Sequence, residues 1–335
     1  MIPPNVPPSE EPTPSPEPGP EVERVDYEVS LRSLSQWELV WRKFRRHRLA
    51  LFGLGILGFL IFVALVGPIF LPFTSVPPRP EQIVITGRPP FCLKFDLASH
   101  VCTKAALMHP FGETGGLQSD VLMLVVNGAR TSLFLGFTSM AIGVGIGTIV
   151  GAIAGYLGGF VDNLLMRIVD IMLSLPLLFV ILIVARFFKG AQDNAWSIIL
   201  VFGLLSWMGV SRLVRSLFLS IREREFVEAA RAVGVRDRRI IFKHILPNAL
   251  SPIVVVASLL VGANISGEAF VSFLGFGISP STPTWGNILS NALGYIAQGN
   301  WWWPVFPGLA IILAVLGVNF VGDGLRDAFD PRSRE

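Results

Sequence analysis

Charged residues are scarce in this chain of 335 residues, where Asp, Glu, Lys and Arg together make up only 15%. Soluble globular domains usually carry about 25% charged residues, so this scarcity argues against a soluble domain. Apolar residues account for 52% of the sequence, and the mean hydropathy is +0.60. The composition therefore predicts a polytopic membrane protein with an all-α fold.

Motifs of several large function classes are absent. The sequence has no G-x-x-x-x-G-K-[ST] run to bind ATP phosphates, and neither H-E-x-x-H nor G-x-S-x-G occurs. The formal net charge is only +3, and no polar face combines basic with aromatic residues. We therefore predict no catalytic residue, no cofactor in this chain and no nucleic-acid partner. Any ATP that powers the protein must be hydrolysed by another chain.

Cysteine is limited to Cys92 and Cys102, which are separated by nine residues. If their loop faces an oxidising compartment, the two can form a disulfide, and two free thiols are the alternative. His100 and His109 lie nearby, but their spacing is too irregular for a typical zinc site. We therefore predict no metal site.

The N-terminus lacks the apolar core of a signal peptide. Residues 3–20 are instead rich in Pro and Glu, a composition that buries too little apolar surface to fold. We predict that residues 1–30 form a disordered cytoplasmic tail.

Long apolar segments dominate the rest of the chain. A helix needs about 20 apolar residues to cross the hydrocarbon core of a bilayer. Six segments meet this requirement, which predicts six transmembrane helices: residues 49–71, 122–154, 164–187, 196–219, 249–276 and 304–321.

Basic clusters indicate the orientation of these spans. Residues 41–48 contain five Lys or Arg residues and directly precede the first span, which places this flank in the cytoplasm. An amphipathic segment over 31–44 and these cations are expected to contact membrane lipids. Counting spans then predicts that both termini are cytoplasmic. The predicted divisions are an amphipathic segment and first helix over 31–71, an extracytoplasmic loop over 72–121, a core of five helices over 122–325 with a cytoplasmic loop over 220–248, and a C-terminal tail over 326–335.

Small residues recur on one face of the second span. Gly143, Gly147, Gly151 and Gly155 follow one another at intervals of four, so a neighbouring helix can approach this face closely. Pro176 in the third span removes a backbone hydrogen bond and favours a kink or a break.

Two ionisable residues lie inside apolar spans, where an unpaired charge costs several kcal/mol. Arg167 precedes Asp170 by three residues and is its expected partner on the same helix. Glu268 has Asn264 one turn before it and no cation nearby in the sequence. Glu268 and Asn264 are therefore candidates for a translocation pathway, and hydrogen bonding to another helix is the alternative.

A charged helix pair interrupts the apolar segments at residues 222–247. The first helix ends at Gly234, which accepts the left-handed conformation of a helix end, and Asp237 is a suitable N-cap for the second. Phe226, Ala229 and Val233 share an apolar face of the first helix. The pair is either a handle for another protein or an amphipathic hairpin on the membrane surface.

Short motifs in a fixed order resemble the C-type permease of dipeptide, oligopeptide and nickel ABC importers. The resemblance covers about residues 35–332 and rests on HPFG (109–112), GARTSL (128–133), AGYLGG (154–159), REREFVEAARAVG (222–234), HILPN (244–248), SFLGFG (272–277), PTWGN (283–287) and GDGLRDAFDPR (322–332). Residues 113–119 depart from the family's usual pattern, which leaves the contacts of that loop open.

The resemblance implies a type I ABC importer permease that works by alternating access. Its expected partners are two ABC ATPase subunits that bind ATP and Mg, a homologous B-type permease, and an extracytoplasmic solute-binding protein. The helix pair would be the EAA loop that docks on the ATPase, through Glu228, Ala229, Ala230, Gly234, Ile245, Leu246 and Pro247. Peptides are the expected substrate, with nickel complexes, opines or glutathione as alternatives. An ion-coupled secondary transporter and a structural membrane subunit are the competing hypotheses.

Overall fold

The computed structural model describes residues 36–71, 89–96, 101–105, 110–114, 120–187, 195–279 and 282–329. The predicted tail over 1–30 and most of the loop over 72–121 lie outside these ranges. The described elements are α1 (Gln36–Phe44), α2 (Arg48–Phe70), β1 (Cys92–Asp96), β2 (Val101–Ala105), α3 (Val121–Leu157), α4 (Gly159–Ser174), α5 (Leu177–Phe187), α6 (Ala195–Arg222), α7 (Glu225–Ala232), α8 (Asp237–Arg239), a π-helical segment (Ile240–Ile245), α9 (Leu246–Phe273), α10 (Trp285–Ile296) and α11 (Trp302–Phe329).

Five continuous helices in the described part of the chain are long and apolar enough to cross a bilayer. They are α2, α3, α6, the run Asp237–Phe273 and α11. These helices confirm a multi-pass membrane protein with a helical core. They correspond to five of the six predicted spans.

The predicted third span is not one helix. It is divided into α4 and α5 by Leu175 and Pro176, which have no helical conformation. Proline lacks the N–H that a continuous helix would use and clashes with the preceding turn. Within the described residues α5 contains 11 residues, about 16 Å, and this part alone does not reach across the hydrocarbon core.

The glycine face of α3 packs directly against α6, as the sequence predicted. A Cβ atom at Gly147 would lie 2.6 Å from Cβ of Val210, and one at Gly155 would lie 2.7 Å from the carbonyl oxygen of Arg215. Real Cβ atoms essentially never approach other atoms this closely. The absence of side chains on this face is therefore what allows the two helices to come together.

A large apolar cluster joins α2, α3, α9, α10 and α11. Its centre includes Trp285 and Trp302, which are 0% and 2% exposed. The indole nitrogen of Trp285 donates a hydrogen bond to the carbonyl oxygen of Val125, and that of Trp302 donates to the carbonyl oxygen of Glu113. Residues 277–303, between the fifth and sixth predicted spans, thus contain a packed helix, α10, which the sequence did not reveal.

The departure from the family pattern begins at a packed position. Glu113 and Thr114 are buried, and the ring of Phe111 stacks on that of Phe306 with centroids 4.0 Å apart. This part of the loop is therefore held against the beginning of α11. Residues 115–119 lie outside the described ranges.

A two-stranded antiparallel hairpin adds to the helices. β1 pairs with β2, with Cys92 opposite Ala105 and Phe95 opposite Cys102. The sequence did not predict these strands. The side chains of both cysteines lie outside the described part of the structure, so the disulfide stays a prediction.

The described N-terminal helix packs on the end of the last one. Phe44 of α1 is buried against Ala50 and Ala328. His47 caps α2 by accepting a hydrogen bond from the Ala50 N–H at Nδ1, and its Nε2 lies 3.3 Å from Oδ2 of Asp327. The beginning of α2 and the end of α11 therefore lie on the same side of the helix bundle.

Candidate functional site

The loop between α6 and α9 folds as a helix, a tight break and a second helix, as predicted. At Gly234 the backbone adopts φ +77°, and the Val235 N–H donates to the carbonyl oxygen of Ala230 over 3.1 Å. The Gly234 N–H donates to the carbonyl oxygen of Arg231. This pattern is a Schellman motif, and its left-handed residue is glycine because a Cβ atom strains that conformation.

α7 presents an apolar surface outward. Val227 is fully buried and Ala230 is partly buried against the bundle. Phe226 and Val233, by contrast, are 45% and 80% exposed. The helix has two apolar stripes, and only packing against the bundle decides that the stripe with Val227 faces inward.

The residues predicted to contact an ATPase differ in their exposure to solvent. Glu228, Ala229, Gly234 and Pro247 are exposed, and Ala230 and Leu246 are partly buried. Ile245 is fully buried with Ile240 under the loop. The exposed residues are accessible to another protein, whereas Ile245 anchors the loop to the bundle.

Two polar contacts tie the loop to the end of α3. The Tyr156 hydroxyl donates a hydrogen bond to Oδ1 of Asp237 over 2.5 Å. Nη1 of Arg222 donates to the carbonyl oxygens of Gly155 and Tyr156, over 3.3 and 3.2 Å. Asp237 is the first residue of α8 and makes no side-chain cap, so its predicted role as N-cap is wrong. Tyr156 was quoted in a motif, but nothing in the sequence pairs it with a residue 81 positions away.

The second helix of the loop continues into the membrane without a break. α8, the π-helical segment and α9 form one helical run of 37 residues, Asp237–Phe273. At 1.5 Å per residue its length is about 55 Å. One continuous helical run therefore connects the loop to the other side of the bundle.

At the far end of this run lies Glu268, which is 1% exposed. Its Oε1 accepts hydrogen bonds from Ser272 Oγ at 2.6 Å and from Thr284 Oγ1 at 3.0 Å. Thr284 Oγ1 also accepts the Asn287 N–H and so caps α10. The buried carboxylate thus connects α9 to α10.

Asn264 lies one turn before Glu268 and is also buried. Its Oδ1 accepts a hydrogen bond from Ser206 Oγ of α6 over 3.2 Å. Glu268 and Asn264 are therefore buried within the packing of this chain, and their assignment to a translocation pathway stays a prediction.

Asp170 has a different partner from the one predicted. Its Oδ1 accepts a hydrogen bond from Nη2 of Arg212 on α6, in an ion pair that links α4 to α6. Arg167 on the same helix is therefore not the partner. A second such pair joins Asp162 to Arg215. Sequence spacing favoured a local pair because it contains no information on which helices are neighbours.

Comparison with known proteins places the chain in a family. Residues 147–335 match the family described as binding-protein-dependent transport system inner membrane component. Residues 35–83 match the N-terminal transmembrane domain of oligopeptide transport permease C. The chain belongs to the family of binding-protein-dependent transport system inner membrane components. This result confirms the resemblance that the eight motifs indicated.

Relatives of known name cover nearly the whole chain. A Brucella suis biovar 1 protein named as a peptide permease is 38% identical over 87% of this chain and 89% of its own length. The oligopeptide transport system permease protein OppC of Haemophilus influenzae is 37% identical over 92% of each chain. The dipeptide transport system permease protein DppC of Bacillus subtilis is 36% identical over 94% of this chain and 91% of its own.

A solved structure supports the fold. The inward-facing MetNI methionine ABC transporter superposes with a TM-score of 0.51 at 24% sequence identity. The match covers 62% of this chain and 96% of that one. The helical core therefore has the fold of a type I ABC importer permease.

Proposed function

We propose that this chain is the permease subunit of an ATP-driven importer that moves peptides delivered by an extracytoplasmic binding protein. The names of its relatives support peptides as the substrate class. A homologous second permease would complete the pathway. Two partner ATPase subunits would bind ATP and Mg and carry out the hydrolysis, so this chain is a transport subunit and not an enzyme.

The observation that carries the proposal is the exposed apolar surface of α7, which stands directly before a continuous membrane helix. Phe226 and Val233 are exposed beside Glu228, while Val227 and Ile245 hold the loop to the bundle. Exposed apolar patches with polar surroundings are typical of protein–protein contacts. This surface suits the binding of an ATPase subunit on the cytoplasmic side. The helical run Asp237–Phe273 would transmit a movement of that subunit to the other side of the bundle.

The experiment is to reconstitute the complete complex in vesicles and to measure peptide uptake and ATP hydrolysis. Val233→Asp should reduce the binding of the ATPase subunits and abolish ATP-dependent uptake, because it places a charge in the contact. Ile296→Asp is the matched control, since Ile296 is also an exposed apolar residue and lies on α10. It should leave ATPase binding unchanged. Normal ATPase binding and uptake with Val233→Asp would contradict the docking role.

The energy source and the substrate separate the competing hypotheses. Uptake that is driven only by a proton or sodium gradient, with no need for ATP, would indicate an ion-coupled transporter. A complex that binds the ATPase but moves no solute would indicate a structural subunit. Competition of labelled dipeptide uptake by nickel complexes, opines and glutathione decides among the substrates.

A further inference from the structure

A basic cavity lies beside the loop, at the beginning of the helical run Asp237–Phe273 that continues into the membrane. It has a volume of about 650 Å³ and is lined by Arg236, Arg238, Arg239, Phe242, Lys243 and Pro247. The four cations are exposed, and the ion pairs within the described part of the chain involve none of them. Asp237 lies among them in sequence, but its carboxylate accepts the hydrogen bond from Tyr156. The described lining contains four cations and no acidic residue, so it is positively charged.

An exposed aromatic ring interrupts these cations. Phe242 is 60% exposed and follows Arg238 by four residues and Arg239 by three. Pro247, at the other end of the cavity, is the second residue of α9. The lining thus combines guanidinium and ammonium groups with apolar surface at the point where the helix becomes a membrane span.

The length of the helix places this cavity at the edge of the bilayer. Asp237–Phe273 is about 55 Å long, whereas a bilayer with its head groups is about 40–45 Å thick. The opposite end of the run is apolar, so the excess length lies at the basic end. The cavity covers about the first 15 Å of the run, which corresponds to the head-group layer and the water next to it.

We propose that this cavity binds the head group of an anionic phospholipid. The phosphate would accept charge-assisted hydrogen bonds from Arg238, Arg239 and Lys243, and Phe242 would contact the upper part of an acyl chain. A partner protein suits this second helix less well, because the exposed apolar surface that would bind it lies on α7, the first helix of the loop. The site does not depend on which solute the importer moves.

The test uses the full-length chain, purified in detergent, and native mass spectrometry with two lipids of equal acyl chains, phosphatidylglycerol and phosphatidylcholine. Wild type should bind phosphatidylglycerol in preference, and added salt should weaken this binding. Each cation near a lipid phosphate contributes about fivefold in affinity, so R238Q/R239Q/K243Q should lose about 100-fold. F242A should weaken phosphatidylglycerol binding without removing the preference for the anionic lipid.

A matched control removes three exposed cations that belong neither to the cavity nor to the basic segment before α2. R224Q/R231Q/R326Q changes the net charge equally and should alter phosphatidylglycerol affinity less than threefold. R238K/R239K should keep the preference for phosphatidylglycerol because it keeps the charge. If R238Q/R239Q/K243Q does not elute as a folded protein, the proposal is tested by the loss of phosphatidylglycerol affinity in K243Q and F242A and by the salt titration of wild type.

Four results would overturn the proposal. Equal losses in the two triple variants would show general attraction to basic residues and no site. Displacement of the lipid by inorganic phosphate, at an ionic strength held constant with chloride, would show a site for free anions. Full lipid binding with loss of ATPase binding in R238Q/R239Q/K243Q would assign the patch to a protein partner. Salt-independent binding with no effect of K243Q would show that the cations do not bind the phosphate.

Discussion

Adding one methyl group to α3 at Gly151 tests the packing that holds the membrane core together. The new Cβ atom would lie 2.5 Å from the carbonyl oxygen of Ser211 and 2.7 Å from Cβ of Val214. Ordinary contact begins near 3.4 Å, so α6 must move by about 1 Å, and its backbone cannot rotate out of the way. Overpacking of this kind costs about 1–3 kcal/mol.

Gly145 on the same helix provides the matched control. A Cβ atom there meets nothing within 4 Å. Both Gly→Ala changes gain the same helix propensity, about 1 kcal/mol, so that contribution cancels in the comparison. Gly151→Ala should therefore be less stable than Gly145→Ala by about 1–3 kcal/mol. Denaturant titration of each purified chain in mixed micelles, followed by circular dichroism, measures this difference in the free energy of unfolding. Equal stabilities would refute the close approach of α3 and α6.

Two further substitutions and one labelling experiment test other parts of the molecule. Gly234→Val should uncouple ATP hydrolysis from uptake because it strains the left-handed position, whereas Gly234→Asn should retain most coupling; normal transport by Gly234→Val would contradict this. Thr284→Val should cost about 2–3 kcal/mol, because it removes a donor to buried Glu268 and the cap of α10, and Thr284→Ser should cost less than half as much; equal thermal stabilities would argue against the hydrogen bond. Cys92 and Cys102 should resist maleimide labelling until reduced, and labelling of both without reductant would exclude the disulfide.

Features that depend on local sequence were predictable. The prediction of a glycine face on α3 was correct. A repeat of four residues fixes which residues share a helix face, whatever the neighbouring helix is. The prediction of a helix break at Gly234 was also correct, because the left-handed conformation depends on one residue and its own turn. Pro176 signalled a break, but the sequence did not show that α4 and α5 would be separate helices.

Features that depend on neighbours were not predictable. Arg167 was the nearest cation to Asp170 along the chain, yet the packing of α4 against α6 brings Arg212 to it. α10 was not predicted, because a tryptophan such as Trp285 suits the membrane surface as well as a packed core. Only contacts with α3 and α9 show that Trp285 is in the core.

The sequence by itself determined that the chain crosses a membrane several times and that a charged helix pair with a glycine break separates α6 from α9. It also lacks the P-loop run from which an ATP site would have been predicted. These properties follow from composition, segment length and residue-by-residue conformational preference. Tertiary structure alone decided that Phe226 and Val233 face outward while Val227 faces the bundle, and that Glu268 joins α9 to α10. An apolar stripe must be buried and a buried carboxyl group must be hydrogen-bonded, and the sequence shows both requirements. Which residues meet them depends on how helices that are distant in the sequence pack together.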